Sequence, residues 1–405
     1  MNKPILFGYG LTTKAIASSL GGGCKIFDDN AKDIYFDDKN NQIIPSSFFD
    51  INSSDLKITT PSFKPSHFLV KQAKNLISEY DYFLSNKRVD KSPFTIWISG
   101  TNGKTTTTQM LTSLLKDKGA ISGGNIGTPL ADLDSNASIW ILETSSFTLH
   151  HTKEASPNIY ILLPITPDHL DWHGGEKEYT QDKLKPLLTM REGEMALIPK
   201  GLDLPKSDAF IVEYDSSQFL ADYFEIDINR VNFKSAFLED ALLALAVTKV
   251  LFDEIDYNKI NSFTLDSHRQ EIVEDSKKRV WINDSKATNI DATIKALDTF
   301  NDKYIHLITG GEDKGADLSE LFLELQKLNI TIYTIGKNSN RLINLAQKYK
   351  VKAIKCDYLN VAVSEIDKRL DKNSIGLLSP SSASFDQFKS YKDRGDRFKE
   401  EINKI

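Results

Sequence analysis

The residues best placed to do chemistry in this 405-residue chain are Gly100-Thr101-Asn102-Gly103-Lys104-Thr105, with Thr106 and Thr107 behind them. A glycine-rich turn, a lysine and a run of hydroxyls stand between a short apolar segment, Phe94 to Ile98, and the helical spacing of Gln109 to Leu115. Glycines let a backbone aim its N–H groups at phosphate oxygens, and a helix N-terminus adds positive potential. Lys104 can then reach the β- and γ-phosphates of a nucleoside triphosphate, while Thr105 can ligate Mg²⁺. The first glycine of the full consensus G-x-x-x-x-G-K-[ST] falls on Ile98, so the expectation is a phosphate site entered by a variant loop.

Three further groups stand where phosphoryl chemistry needs them. Glu143 ends the apolar run Ile139 to Leu142, the place where a phosphate-loop fold puts the acid that holds Mg²⁺. Asp168, His169, Asp171 and His173 follow the apolar run ending at Leu163; such a cluster is as readily a polar loop as a metal site, and its place after a sheet strand favours the site. Lys183, in Tyr179-Thr180-Gln181-Asp182-Lys183-Leu184-Lys185, reads by itself as a solvated charge on an ordinary helix. Farther along, Ser267 to Glu271, Asn283 to Asn289 and Thr309 to Gly315 are polar, loop-like and adjacent to strands, as sites are.

The elements that must carry these groups alternate strand and helix, which predicts an α/β protein of parallel sheets. Ile5 to Phe7, Gly8-Tyr9-Gly10, Lys14 to Leu20 and Cys24 to Phe27 make a βαβ opening. Its dinucleotide fingerprint is incomplete, since Thr13 stands at the third glycine, so a nicotinamide site is a weak reading. The length favours two or three domains. The polar stretch Ser85 to Pro93 and the segment Ser262 to Ser267 divide the chain into a Rossmann-like unit at 1–90, a central phosphate-loop unit at 91–265 and a Rossmann-like α/β unit at 266–405. Phe237 to Leu251 reads as a core helix. A formal charge of −6, with 26% charged residues, makes no electrostatic case for nucleic acid. Cys24 and Cys356 are too few and too far apart for a disulfide framework or a cysteine metal site, which fits a reducing cytoplasm. Lys3 and Pro4 to Phe7 faintly suggest a signal peptide, but Gly8, Gly10, Thr12, Thr13 and Lys14 interrupt it. No apolar run approaches a membrane span.

These motifs, together with Gly123-Gly124-Asn125-Ile126-Gly127, Leu142 to Phe147, Asp168-His169-Leu170-Asp171, His268-Arg269 and Leu378 to Phe388, resemble the Mur ligases, ATP-dependent amino-acid ligases of peptidoglycan precursor synthesis. Asn283 to Asn289 and Leu378 to Phe388 are most similar to the member that joins D-glutamate to UDP-N-acetylmuramoyl-L-alanine. The D-N-P-R signature of the meso-diaminopimelate member is absent, and folate polyglutamate ligases lack a first unit like residues 1–90. The resemblance implies that ATP phosphorylates the substrate carboxylate and that the amine of D-glutamate attacks the acyl phosphate. It implies two Mg²⁺ ions held by Thr105, Glu143, His169 and Lys183, the last carbamylated by CO₂. It assigns Gly100 to Thr107, Asp240, Arg269, Glu312 and Lys314 to ATP; the adenine-facing helix start of the family reads here Ala236 to Asp240, which leaves Asp240 as its polar group. Asn125, Ser145 and His169 are assigned to the muramoyl moiety, Leu11, Thr12 and Asp28 to a uridine diphosphate across the first strand ends, and Lys337, Ser384 and Phe385 to D-glutamate. It also implies small-molecule partners only, and a monomer. The competing readings are another Mur-type or folylpolyglutamate-type ligase, a phosphate-loop ATPase switch, and a nicotinamide oxidoreductase; the last two leave the third unit unexplained.

Overall fold

A computed structural model describes residues 3–85, 93–313 and 315–405. The expected boundary through residues 86–92 and the ATP position Lys314 lie outside the described residues. The first sheet comprises β1 (Ile5–Phe7), β2 (Lys25–Asp28), β3 (Tyr35–Phe36), β4 (Gln42–Pro45), β5 (Lys57–Thr59) and β6 (Leu76–Ser78), in the order β3-β4-β2-β1-β5-β6. The second contains β7 (Phe94–Ser99), β8 (Ala120–Gly124), β9 (Ile139–Glu143), β10 (Ile159–Leu162), β11 (Met195–Pro199) and β12 (Phe210–Tyr214), ordered β12-β11-β10-β7-β9-β8. The third contains β13 (Glu271–Glu274), β14 (Val280–Asn283), β15 (Tyr304–Gly310), β16 (Ile330–Ile335), β17 (Lys352–Asp357) and β18 (Ser374–Leu378), ordered β13-β14-β18-β15-β16-β17. Pairing is parallel except for the edge pairs β3–β4 and β13–β14.

Parallel strands covered on both faces are near-continuously apolar, and β10 (Ile-Tyr-Ile-Leu) and β16 (Ile-Thr-Ile-Tyr-Thr-Ile) are buried at every position. Trp97, Tyr160 and Leu162 pack with Leu184 and Leu187 on one side of the second sheet. Fully burying an apolar side chain of this size stabilises by roughly 1.5–3 kcal/mol. The helix Ser235–Phe252 buries every residue from Asp240 to Thr248, which explains why it lacks a clear polar face.

By compactness the chain forms one unit of residues 1–233 with 237–263 and another of 234–236 with 264–405, so the first two sheets share a unit. The strands that sequence reading missed are mostly short or peripheral: β3 has two residues, both exposed, and β17 buries only Cys356. Among the described residues no helix is long and apolar enough to cross a membrane.

Candidate functional site

β7 lies between β9 and β10, at the point where successive strands pass to opposite sides of the sheet. A crevice forms at such a switch, outside the carboxyl ends of the strands, and the glycine-rich loop leaves β7 there. Gly100 has φ +138°, and a Cβ on it would sit 2.4 Å from the Leu163 Cβ. Gly103 has φ +84° and caps the helix Lys104–Leu115; a Cβ there would meet Asp240 Oδ1 at 2.5 Å. Both positions therefore need glycine for conformation and for space. Lys104 Nζ donates to the carbonyls of Gly100 (3.0 Å) and Thr101 (2.9 Å), so the loop wraps its own lysine. The Thr101 hydroxyl is 3.0 Å from the Tyr179 hydroxyl, and Thr107 Oγ1 donates to Asp240 Oδ1 at 2.9 Å. Asp240 is thus placed beneath the loop. Asn102 and Thr105 are half-buried and Thr106 is buried.

Lys183 corrects its own sequence reading. It is 1% exposed, not solvated, because the helix Glu176–Leu184 turns it inward, where Nζ donates to the Gly100 carbonyl at 2.8 Å and lies 4.8 Å from the centre of the Tyr179 ring. Burial, and after it the charge of Lys104, hold its ammonium well below the usual lysine range. One carbonyl thus accepts from two lysines. Register pairs Ile98 with Glu143, which brings the acid alongside the loop's entry. Glu143 Oε1 accepts from Asn125 Nδ2 at 2.7 Å, whereas Oε2 is buried with no hydrogen-bond partner among the described residues. A buried carboxylate oxygen left alone is costly, so this one is suited to a cation. His169 sits at φ +52°, its ring centre 4.8 Å from that of Phe147 and Nε2 3.4 Å from Asp168 Oδ2. Burial first, then the charges of His173, Lys104 and Lys183, lower its pKa despite Asp168, which favours a neutral, ligating imidazole. Ser145 caps the helix Ser146–His151 by accepting from Thr148 N at 3.1 Å.

A cavity of about 200 Å³ in the same unit brings together Leu11, Thr12 and Asn125. Asp28 does not line it; its carboxylate accepts from Tyr9 N at 2.7 Å and Asn30 N at 2.8 Å, bracing the first turn. Sequence reading missed Glu79, Tyr80 and His151 on the cavity wall. Glu79 accepts from Leu130 N at 2.8 Å, and burial pushes its carboxyl up to about 7. Burial lowers His151 to about 4, while its Nε2 lies 3.1 Å from the Phe63 carbonyl. The local signal was only a capped short helix at Ser78, with nothing to announce a cavity.

In the second unit a cleft of about 630 Å³ gathers Glu312, Lys337 and Phe385, with Tyr358 and Asp386, which sequence reading missed. Lys337 Nζ is 3.7 Å from Glu312 Oε1, and its backbone N–H donates to Asp386 Oδ2 at 2.7 Å. Ser384 is buried and is not part of the lining; its carbonyl accepts from Phe388 N at 2.9 Å. Arg269 is half-buried beside Asp284, whose carboxyl burial raises to about 7. The buried Arg394 donates to the carbonyls of Ser285 (2.9 Å) and Ser382 (3.1 Å), lashing the 283–289 segment to the 378–388 segment. No sequence feature set Arg394 apart from other helix arginines.

The Mur ligase middle domain matches residues 98–232, and the Mur ligase glutamate ligase domain matches residues 268–382. A UDP-N-acetylmuramoylalanine--D-glutamate ligase of Campylobacter jejuni subsp. jejuni is 49% identical over 99% of both chains. A Helicobacter pylori protein of the same name is 42% identical over 97% of this chain and 98% of its own. Among solved structures, the MurF ligase of Thermotoga maritima in complex with ADP superposes with a TM-score of 0.59 at 16% identity, covering 86% of this chain and 88% of its own. MurF of Acinetobacter baumannii gives 0.60 at 15% identity, covering 98% and 90%. At those identities the structures speak for the fold alone. With near-full-length relatives above 40% identity, the chain belongs to the Mur ligase family.

Proposed function

We propose that this chain is an ATP-dependent ligase that joins D-glutamate to UDP-N-acetylmuramoyl-L-alanine by way of an acyl phosphate, in peptidoglycan precursor synthesis. The observation that carries the chemistry is the convergence of Lys104 and Lys183 on the Gly100 carbonyl, beside a strand-end carboxylate with one unpaired oxygen. The choice of substrates rests on the similarity to the Campylobacter jejuni and Helicobacter pylori ligases. In this reading residues 1–90 bind the uridine diphosphate, 91–265 bind ATP and 266–405 bind the amino acid, in a monomeric cytoplasmic enzyme.

The reaction must bring a carboxylate against a triphosphate, so its first requirement is positive charge in fixed places. The loop amides and Lys104 cradle the phosphates and meet the charge that spreads over the transferred group. Thr105, Glu143, His169 and a carbamylated Lys183 fit a pair of Mg²⁺ ions, which supply charge neutralisation when bound. The fit has a physical basis on both sides: Glu143 offers a buried unpaired oxygen, and an amine held below its usual pKa has the free electron pair that adds to CO₂. Asn125 and the cavity at Leu11 and Thr12 hold the nucleotide-sugar substrate, leaving its terminal carboxylate to be phosphorylated. Lys337 pairs a carboxylate of D-glutamate, with Phe385 shielding it and Ser384 bracing the loop, so that the amine is free to attack. Arg269, Glu312 and Lys314 complete the ATP contacts. Holding both reactants in place supplies much of the remaining acceleration.

Phosphate release, assayed with ATP against a panel of UDP-muramoyl substrates and amino acids of both hands, is the direct test. Release should require UDP-N-acetylmuramoyl-L-alanine and D-glutamate together. Equal release without an amino acid would mean an ATPase switch, and preference for L-lysine or meso-diaminopimelate would mean a different Mur ligase.

A further inference from the structure

Outside the residues assigned to ATP and substrates, one cluster of ligating groups is already assembled. His150 Nδ1 lies 2.8 Å from Asp182 Oδ2, and His173 Nδ1 lies 2.7 Å from that same oxygen. These donor atoms all fall within 4.8 Å of one another. The His173 and Asp182 side chains are 0% and 6% exposed, while that of His150, at 27%, opens a path to solvent. We propose that His150, His173 and Asp182 bind one divalent transition-metal cation of the Zn²⁺ class, at a site separate from the Mg²⁺ that accompanies ATP.

Three features favour a cation over a purely hydrogen-bonded cluster. First, two imidazole nitrogens converge on a single carboxylate oxygen in a largely buried place, so that one cation could be shared by all three atoms. Second, His173 Nε2 is 3.0 Å from Ser146 Oγ. A ligating histidine characteristically donates its other N–H to such a partner, which fixes the tautomer with Nδ1 turned to the metal. Third, Lys185 Nζ holds the other oxygen, Asp182 Oδ1, at 2.9 Å, so the carboxylate is oriented while Oδ2 stays available. Two imidazoles and one carboxylate suit Zn²⁺ or Co²⁺ and disfavour Mg²⁺, which takes oxygen ligands. Ligand distances of about 2.0–2.2 Å would require the present N···O separations to open by roughly half an ångström, and a water would fill the position facing His150. The cation would fasten the helix Ser146–His151 to the helix Glu176–Leu184, which carries Lys183.

The test uses the full chain, stripped with chelator, loaded with ZnCl₂ in excess MgCl₂ without nucleotide and then desalted. Wild type should retain one equivalent of zinc and gain in Tm. His150→Gln should bind zinc at least about tenfold more weakly, since losing a ligand costs no less than losing an outer-shell partner, and its Tm should not respond to zinc. Its Mg²⁺-dependent phosphate release, and its melting without zinc, should match wild type. X-ray absorption at the zinc edge of loaded wild type, which needs no variant, should show two imidazoles. Zinc lost to Mg²⁺, zinc held equally by His150→Gln, or a shell without imidazole would each overturn the proposal.

Discussion

The phosphate loop and the cleft at Lys337 each present a lysine amine, yet they are built in opposite ways. At the loop, Lys183 is 1% exposed and both lysines already donate to backbone carbonyls at 2.8–3.0 Å. In the cleft, the Lys337 side chain is 74% exposed, and its nearest carboxylate partner, Glu312, stands 3.7 Å away. An exposed pair at that distance contributes at most about 1 kcal/mol, so Lys337 is held mainly through its backbone, by Asp386. Groups that meet growing charge in a transition state act best when fixed in advance. In the proposed reading Lys337 selects a free amino acid, and such a group can remain in water until its ligand pairs it.

The largest effect should follow Lys104→Ala. Removing the fixed cation should cost at least about 3 kcal/mol in barrier, roughly a hundredfold in kcat, with circular dichroism and Tm close to wild type. Retention of most activity would end the contrast, because the loop would then not depend on its fixed charge. Lys183→Ala should be nearly inactive as well, and rigorous removal of CO₂ and bicarbonate should lower wild-type activity. Intact-mass measurement should find the added carboxylate; full activity in the variant would reduce Lys183 to a donor that braces Gly100.

Lys337→Ala should act on one substrate only. A charge-assisted hydrogen bond is worth about 1.5–3 kcal/mol, so KM for D-glutamate should rise about ten- to a hundredfold while KM for ATP holds. If ATP affinity falls and D-glutamate affinity holds, the cleft is not the amino-acid site.

The smallest effect on turnover should come from Glu79→Gln, which bears on stability. Burial raises the folded carboxyl from 4.5 to about 7, so between those values the folded state binds more protons than the unfolded state. Stability contributed by this group is therefore present at low pH and is lost as pH rises toward 7, by about 2 kcal/mol between pH 5 and 7. Urea melts of the variant should show a correspondingly flatter pH dependence over that range. An unchanged slope would mean that Glu79 titrates as an ordinary surface acid.

Much of this was legible before any coordinates. Apolar runs of strand length between helical spacings specify a parallel α/β fold, because both faces of such strands must be covered. Ile330–Ile335 and Ser374–Leu378 are such runs, and both form strands buried at every position. The glycines at 100 and 103 announce a tight loop because local backbone geometry is a matter of neighbouring residues. What local spacing could not convey is which polar side chains are dry and what they meet. Lys183 looks like any helix lysine until the fold sets it against Gly100, 83 positions away in sequence. Glu79 becomes a cavity wall only when Leu130 packs over it, Arg394 becomes a clasp only between segments about 110 and 12 residues away, and Asp182 collects His150 from 32 residues upstream. Sequence by itself determined the fold class, the phosphate loop and the family, all of which rest on contiguous residues. Desolvation and charge pairing belong to groups joined by long-range packing, so the buried amine, the unpaired Glu143 oxygen and the two-histidine cluster were decided by tertiary structure alone.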